Sequence, residues 1–383
     1  MNSRERVMTA ANHREPDRVP VDMVLTIDVY RDMKKVLNME HLPESPRMGR
    51  WTEVQMPIEM IKKLGIDMYY ISPRSGVSIH TKSFDDGSFI DEWGCYWKKT
   101  AIDGGHFYFE LVNPPLENAT IADLDSYDWP DPEDPKRYAG LKEEMKEVRE
   151  TTDLAILAKF AGAVFELATY MRGHERWYRD IINNQEFAHA LMDRICQIQK
   201  RTNEVIMAEV GEYVDILRLS GEDLGMQDRP LISPKTFKKV VKPHLQELWE
   251  HAKKTLHQYN PEAKIMLHTC GAVRPFIPDL IESGVDILDP VQPGAKDMNR
   301  FELKAAFGDA IVFHGNIDIQ KILPFGSKED ITNEVREAIK ALAPGGGFLL
   351  APAHNVQGDV SAEKLVHMVN CVHEFGNYPI QLD

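Results

Sequence analysis

Lys264-Ile265-Met266-Leu267-His268-Thr269-Cys270-Gly271 is a short apolar run that ends in a histidine and a cysteine two residues apart. Side chains alternate along a strand, so His268 and Cys270 point one way and Thr269 the other. The pair can grip one ion. A soft thiolate beside an imidazole suits zinc, with the remaining positions filled from elsewhere in the chain or by substrate. The bland alternative is a buried thiol next to a hydrogen-bonded histidine.

Working outward, the second half repeats the same unit: an apolar strand, a polar end, then a longer helical pattern. Strands are expected at 154–160, 214–220, 264–269, 285–289, 311–315 and 348–352, with 19–25 and 67–72 before them. Between them 187–210, 233–256, 273–283 and 328–342 read as helices, and Gly65 closes a helical pattern that starts near Ser45. Eight strand-helix units predict an α/β fold, a TIM barrel in one domain over 1–383. In such a barrel reactive groups gather where strands end.

That rule supplies the candidates. Asp67 belongs to the second strand; Glu166 and Tyr170 follow the third; Glu222 and Asp223 follow the fourth. His268 and Cys270 end the fifth, Asn316 lies at the end of the seventh, and His354 follows the eighth, where it sits across the mouth from the His-Cys pair and is a candidate third ligand. Glu222 and Asp223 also suit helix capping before Leu224. Between about 76 and 116 the pattern changes to alternation with a turn at Asp86-Gly87, an inserted set of antiparallel hairpins. Its aromatics Tyr96, Trp97, Phe107, Tyr108 and Phe109 either wall a pocket, pack internally or meet a second copy in a homodimer. The stretch 113–135, rich in Pro and Asp, reads as a loop.

Composition limits the partners. The 383 residues are 43% hydrophobic, enough for a core, and the formal charge of -15 disfavours nucleic acid and anionic membranes. Mean hydropathy is -0.37, and no apolar run is long enough to span a membrane. Four widely spaced cysteines form no disulfide framework, and Met1-Asn2-Ser3-Arg4-Glu5-Arg6 lacks the features of a targeting segment, so a cytoplasmic protein is expected.

Phe160-Ala161-Gly162-Ala163 with Ala168-Thr169-Tyr170-Met171, then His314-Gly315-Asn316-Ile317-Asp318 and Ala353-His354-Asn355, resemble the uroporphyrinogen decarboxylase superfamily, most strongly from about residue 154 onward. The resemblance implies a TIM barrel and two branches of chemistry. The decarboxylases use an arginine-rich loop after the first strand; here Leu25 to Asp32 offers one arginine and two aspartates, although Asp67, Tyr170 and His354 match that branch's catalytic positions. The corrinoid-linked methyltransferases carry His-x-Cys-Gly at strand five and bind zinc through that pair and a later cysteine. No cysteine lies in the last loop, so either His354 takes its place or the ligand set is incomplete. The resemblance therefore implies zinc on His268 and Cys270 with His354 as the third ligand; of the strand-end residues, Glu166, Glu222, Asp223 and Asn316 are the candidate substrate contacts, Glu222 and Asp223 also being suited to orient the metal ligands. It also implies a small methyl donor or acceptor, such as a methoxylated aromatic or a thiol, and a corrinoid (cobalamin) on a separate protein, because no Asp-x-His-x-x-Gly carrier run is present. Uroporphyrinogen decarboxylation and a non-catalytic binding subunit are the alternatives.

Overall fold

The computed structural model describes residues 1–45, 53–101, 107–160 and 162–381. Part of the helix expected from Ser45, five residues of the insertion and Ala161 lie outside them. Seven parallel strands lie side by side in chain order: β1 (Met68–Ile71), β6 (Ala155–Phe160), β7 (Ile216–Leu219), β8 (Lys264–His268), β9 (Ile287–Val291), β10 (Val312–Ile317) and β11 (Phe348–Pro352). The intervening numbers belong to the insertion: β2 (Lys82–Ser83), β3 (Phe89–Ile90), β4 (Tyr96–Ala101) and β5 (Phe107–Asn113), a separate antiparallel sheet.

The eighth place in the barrel is filled by residues 20–25. Leu350 N–H donates to Pro20 O, Asp22 N–H to Leu350 O, and Asp67 N–H to Val21 O, joining this segment to β11 on one side and β1 on the other. It pairs only through isolated bridges, at Val21 with Leu350 and Leu25 with Val356. Pro20 has no N–H to give to a ladder, which helps explain why the expected first strand is irregular.

Each strand adds to two stacked layers inside the barrel. Met68, Leu157, Ile216, Met266, Ile287, Val312 and Leu349 form an apolar floor, closed from below by Val7, Ala10 and Ala11 of the helix Ser3–Ala11. Two residues further along the same strands come Tyr70, Lys159, Arg218, His268, Asp289, His314 and Ala351. The period of two keeps these on the inner face. The floor is therefore dry and the layer above it polar.

Outside, helices such as Gln185–Val210, Lys242–Leu256 and Lys328–Leu342 pack apolar faces on the sheet. Ser327 opens the last of these with a capping box closed by Asp330. The expected loop at 113–135 contains a short helix, Ile121–Ser126, whose Thr120 and Asp123 form the same device. Leu25 to Asp32 likewise enters a helix, Ile27–Leu37. Among the described residues no helix is long and apolar enough to cross a membrane.

Candidate active site

β8 ends at His268, and Gly271, with φ of +85°, turns the chain sharply just after Cys270. A Cβ at Gly271 would come within 2.6 Å of the Gly225 and Met226 backbone, so only glycine fits this crossing. The turn leaves Cys270 Sγ 3.4 Å from His268 Nε2. From the loop after β11, the His354 ring stands edge-on to His268 with centroids 5.5 Å apart. One ligand atom from each of His268, Cys270 and His354 lies within 4.8 Å of the other two. Three sequence candidates thus meet at one point.

The other side of His268 is tied to a buried charge network. Asp289 Oδ2 lies 2.9 Å from His268 Nδ1 and accepts from Arg218 Nε at 2.7 Å, while Asp289 Oδ1 is 2.7 Å from His314 Nδ1. His314 Nε2 reaches Asp22 Oδ2 at 3.2 Å. Burial alone would strip the proton from His314, but Asp289 and Asp22 override it and push its pKa up to about 9. Burial works in the opposite sense on Asp289, yet Arg218 and His314 hold its carboxyl well below the usual range. In the cluster of His268, Cys270 and His354, burial with Asp223 and Asp289 pushes the Cys270 thiol up, and burial with the neighbouring His268 lowers His354 to about 4.

Above the triad opens a cavity of about 850 Å³ lined by barrel residues and by the insertion. Phe84, Phe89, Trp93, Trp97 and Phe109 form its aromatic wall, and Trp97 meets the Tyr170 ring edge-on at 5.1 Å. Of the five aromatics singled out in the insertion, Trp97 and Phe109 line the cavity, whereas Tyr108 is exposed and Phe107 packs under Lys99. Asp91 secures the wall by accepting from the Trp97 indole and from the N–H groups of Trp93 and Cys95.

Glu166 and Tyr170, one helical turn apart on Phe165–Arg172, share a hydrogen bond and face the cavity. A Cβ on Gly221 would lie 3.0 Å from the His268 ring and 3.1 Å from Glu166 Oε2, so this glycine lets the carboxylate approach the triad. Asp223 also lines the cavity and accepts from the Cys270 N–H at 3.2 Å. Five candidates of the sequence analysis, Glu166, Tyr170, Asp223, His268 and His354, line this cavity, with Cys270 beside them.

Three others go elsewhere. Asp67, expected at the reacting centre, immediately precedes β1 and so lies at the opposite end of the barrel, where it accepts from Arg6, Arg18, Ser3 and the Val21 N–H. Glu222, expected to touch substrate, is fully buried: its carboxylate accepts the N–H groups of Val164, Phe165 and Glu166 at the start of the helix Phe165–Arg172, which precedes it in the chain. Asn316 is fully buried with φ of +79°, and it is not among the described residues that line the cavity. Sequence reasoning in turn passes over Arg218, Lys159 and Asp22. Their signal is a charge in an otherwise apolar strand, two residues from an inward-facing apolar side chain.

A parallel barrel with an apolar floor, a charged upper layer and a cavity at the C-terminal ends of its strands has the anatomy of a (β/α)8 enzyme. Residues 107–375 match the family described as Uroporphyrinogen decarboxylase (URO-D), and the chain belongs to that family. It is 24% identical over 271 residues to a uroporphyrinogen decarboxylase of Alkalilimnicola ehrlichii, covering 69% of this chain and 68% of the relative. A uroporphyrinogen decarboxylase of Geobacter metallireducens is 23% identical over 261 residues, 66% of this chain and 70% of the relative. Among solved structures, a methyltransferase from Methanosarcina mazei superposes with a TM-score of 0.66 at 18% identity, over 98% of this chain and 99% of that one. That likeness bears on the fold.

Proposed function

We propose that the protein is a zinc-dependent methyltransferase that passes a methyl group between a small substrate and a corrinoid carried by a separate protein. The observation that carries the reading is the convergence of His268 Nε2, Cys270 Sγ and a His354 ring nitrogen at the base of the aromatic cavity. The donor set fits the metal: two imidazoles and a thiolate are ordinary zinc ligands, and three protein ligands leave a position open to substrate, as catalytic sites require. When bound, zinc supplies Lewis-acid activation of the substrate's oxygen or sulfur.

The chain's own residues do the rest. Trp93, Trp97 and Phe109 offer flat apolar surface to an aromatic methyl donor and exclude water from it. The hydrogen-bonded pair of Tyr170 and Glu166 stands beside His268, placed to hold a proton for an oxygen that has lost its methyl group. Asp223, bound to the Cys270 N–H, fixes the loop that carries the thiol. A cavity of about 850 Å³ is of small-molecule size, in keeping with a corrinoid that arrives on its own carrier.

The test is metal content of the wild type beside Cys270→Ala and His354→Ala, followed by demethylation of methoxylated aromatics with reduced corrinoid protein. Close to one zinc per chain, lost in both variants, together with methyl transfer by the wild type, is the expected result. A protein that takes up no zinc and consumes uroporphyrinogen unaided would instead be a decarboxylase, as its curated relatives are named.

A further inference from the structure

Two groups compete for one atom of the candidate metal ligand. His268 Nδ1 lies 2.9 Å from Asp289 Oδ2 and 2.7 Å from Arg218 Nη2. A guanidinium has only donors, and an ionised carboxylate only accepts. If Nδ1 carries the proton, it donates to Asp289 and leaves the Nε2 lone pair directed toward Cys270 Sγ, 3.4 Å away. If Nδ1 is bare, it accepts from Arg218, and the proton sits on Nε2 where a metal would bind. The two neighbours thus favour opposite tautomers of His268.

Resting on the zinc reading above, we propose that Asp289 is the positioning residue that holds His268 in its metal-binding tautomer, and that Arg218 opposes it. The surroundings are built for this. Asp289 is buried, and its second oxygen is held by His314, so the carboxylate cannot swing away from the ring. Arg218 has other partners, Asp289 through Nε at 2.7 Å and Tyr70 Oη through Nη1 at 3.3 Å, so it can release Nδ1 without losing its charge partner. A carboxylate behind a ligating imidazole fixes the ring and raises its basicity.

Zinc affinity of the purified protein, measured by competition with a chromophoric chelator, tests the assignment through Asp289→Asn and Arg218→Lys. Asp289→Asn is expected to weaken zinc binding by about 10–100-fold. Arg218→Lys keeps the positive charge but lacks the second arm that reaches Nδ1, so zinc binding is expected to hold or tighten. A salt bridge with a merely structural role would weaken both variants alike, and that outcome overturns the proposal. If Asp289→Asn does not fold, ¹⁵N-histidine NMR of the wild type decides: zinc on Nε2 with a proton on Nδ1 supports the proposal, and zinc on Nδ1 overturns it. A wild type that binds no zinc refutes the metal reading itself, whereas zinc binding untouched by Asp289→Asn refutes this inference alone.

Discussion

At the scale of single residues, the buried imidazole of His314 has consequences for stability. It faces Asp289 of β9 and Asp22 of the segment beside β11, with Arg218 and His268 on the far side of Asp289. Its folded pKa of about 9 exceeds the unfolded value of about 6.5. A raised imidazole contributes stability fully present below the unfolded value and lost as pH rises through the folded one. Stability of the metal-free protein should therefore fall between about pH 6.5 and 9, by on the order of 3 kcal/mol at most. Urea denaturation across that range checks this, and His314→Gln should be less stable at pH 6 and lack this alkaline decline. An unchanged slope in His314→Gln would mean another group titrates. His268, Cys270 and His354 were legible because each follows a recognisable apolar run. Their partner Arg218 was not, because one charge inside Ile216-Leu217-Arg218-Leu219 stands out only once the inner face of the strand is known.

At the scale of elements, strand positions were readable from apolar runs and helices from periodicity, whereas connections that depend on distant partners were not. The helix Phe165–Arg172 illustrates the difference. Its own N-cap position is Val164, which has no side-chain acceptor, so the cap comes from Glu222, 56 to 58 residues along the chain. No local motif could announce it. Glu222→Gln tests the role, because an amide nitrogen at Oε2 would face the Glu166 N–H donor to donor. The variant should lose about 1–3 kcal/mol of stability. By shifting Glu166 and Tyr170 at the cavity wall it should also weaken substrate binding. Thermal unfolding and a binding titration read the two effects, and a variant as stable as the wild type would remove the capping role. The insertion was legible as hairpins from its alternation. Which of its aromatics face the cavity depended on the register of β4 with β5, where Lys99 pairs with Phe109 and Trp97 with Leu111.

At the scale of the whole molecule, the barrel separates its two tasks by height. Asp67, Asp215 and Asp286 each stand just before a strand, and each accepts a backbone N–H from the neighbouring strand, at Val21, Ile156 and Ile265. Two of them also clasp the N-terminal helix, Asp67 through Arg6 and Asp215 through Arg4. The repetition shows what Asp67 is for. It is one of several carboxylates that tie the base of the barrel together, and its place as the first residue of the expected strand 67–72 already put it at the N-terminal end, away from the strand ends where a site is built. Two variants should then part company. Asp67→Ala leaves the buried Arg6 and the partly buried Arg18 short of a partner, and should cost about 3–5 kcal/mol. Its surviving folded fraction should keep the zinc content of the wild type, because the apolar floor lies between Asp67 and the triad. Cys270→Ala should do the reverse, losing zinc while the metal-free protein unfolds close to the wild-type midpoint. Measuring unfolding and metal content on both proteins decides the matter. Loss of zinc from well-folded Asp67→Ala would return that aspartate to the site and break the division of labour between the two ends of the barrel.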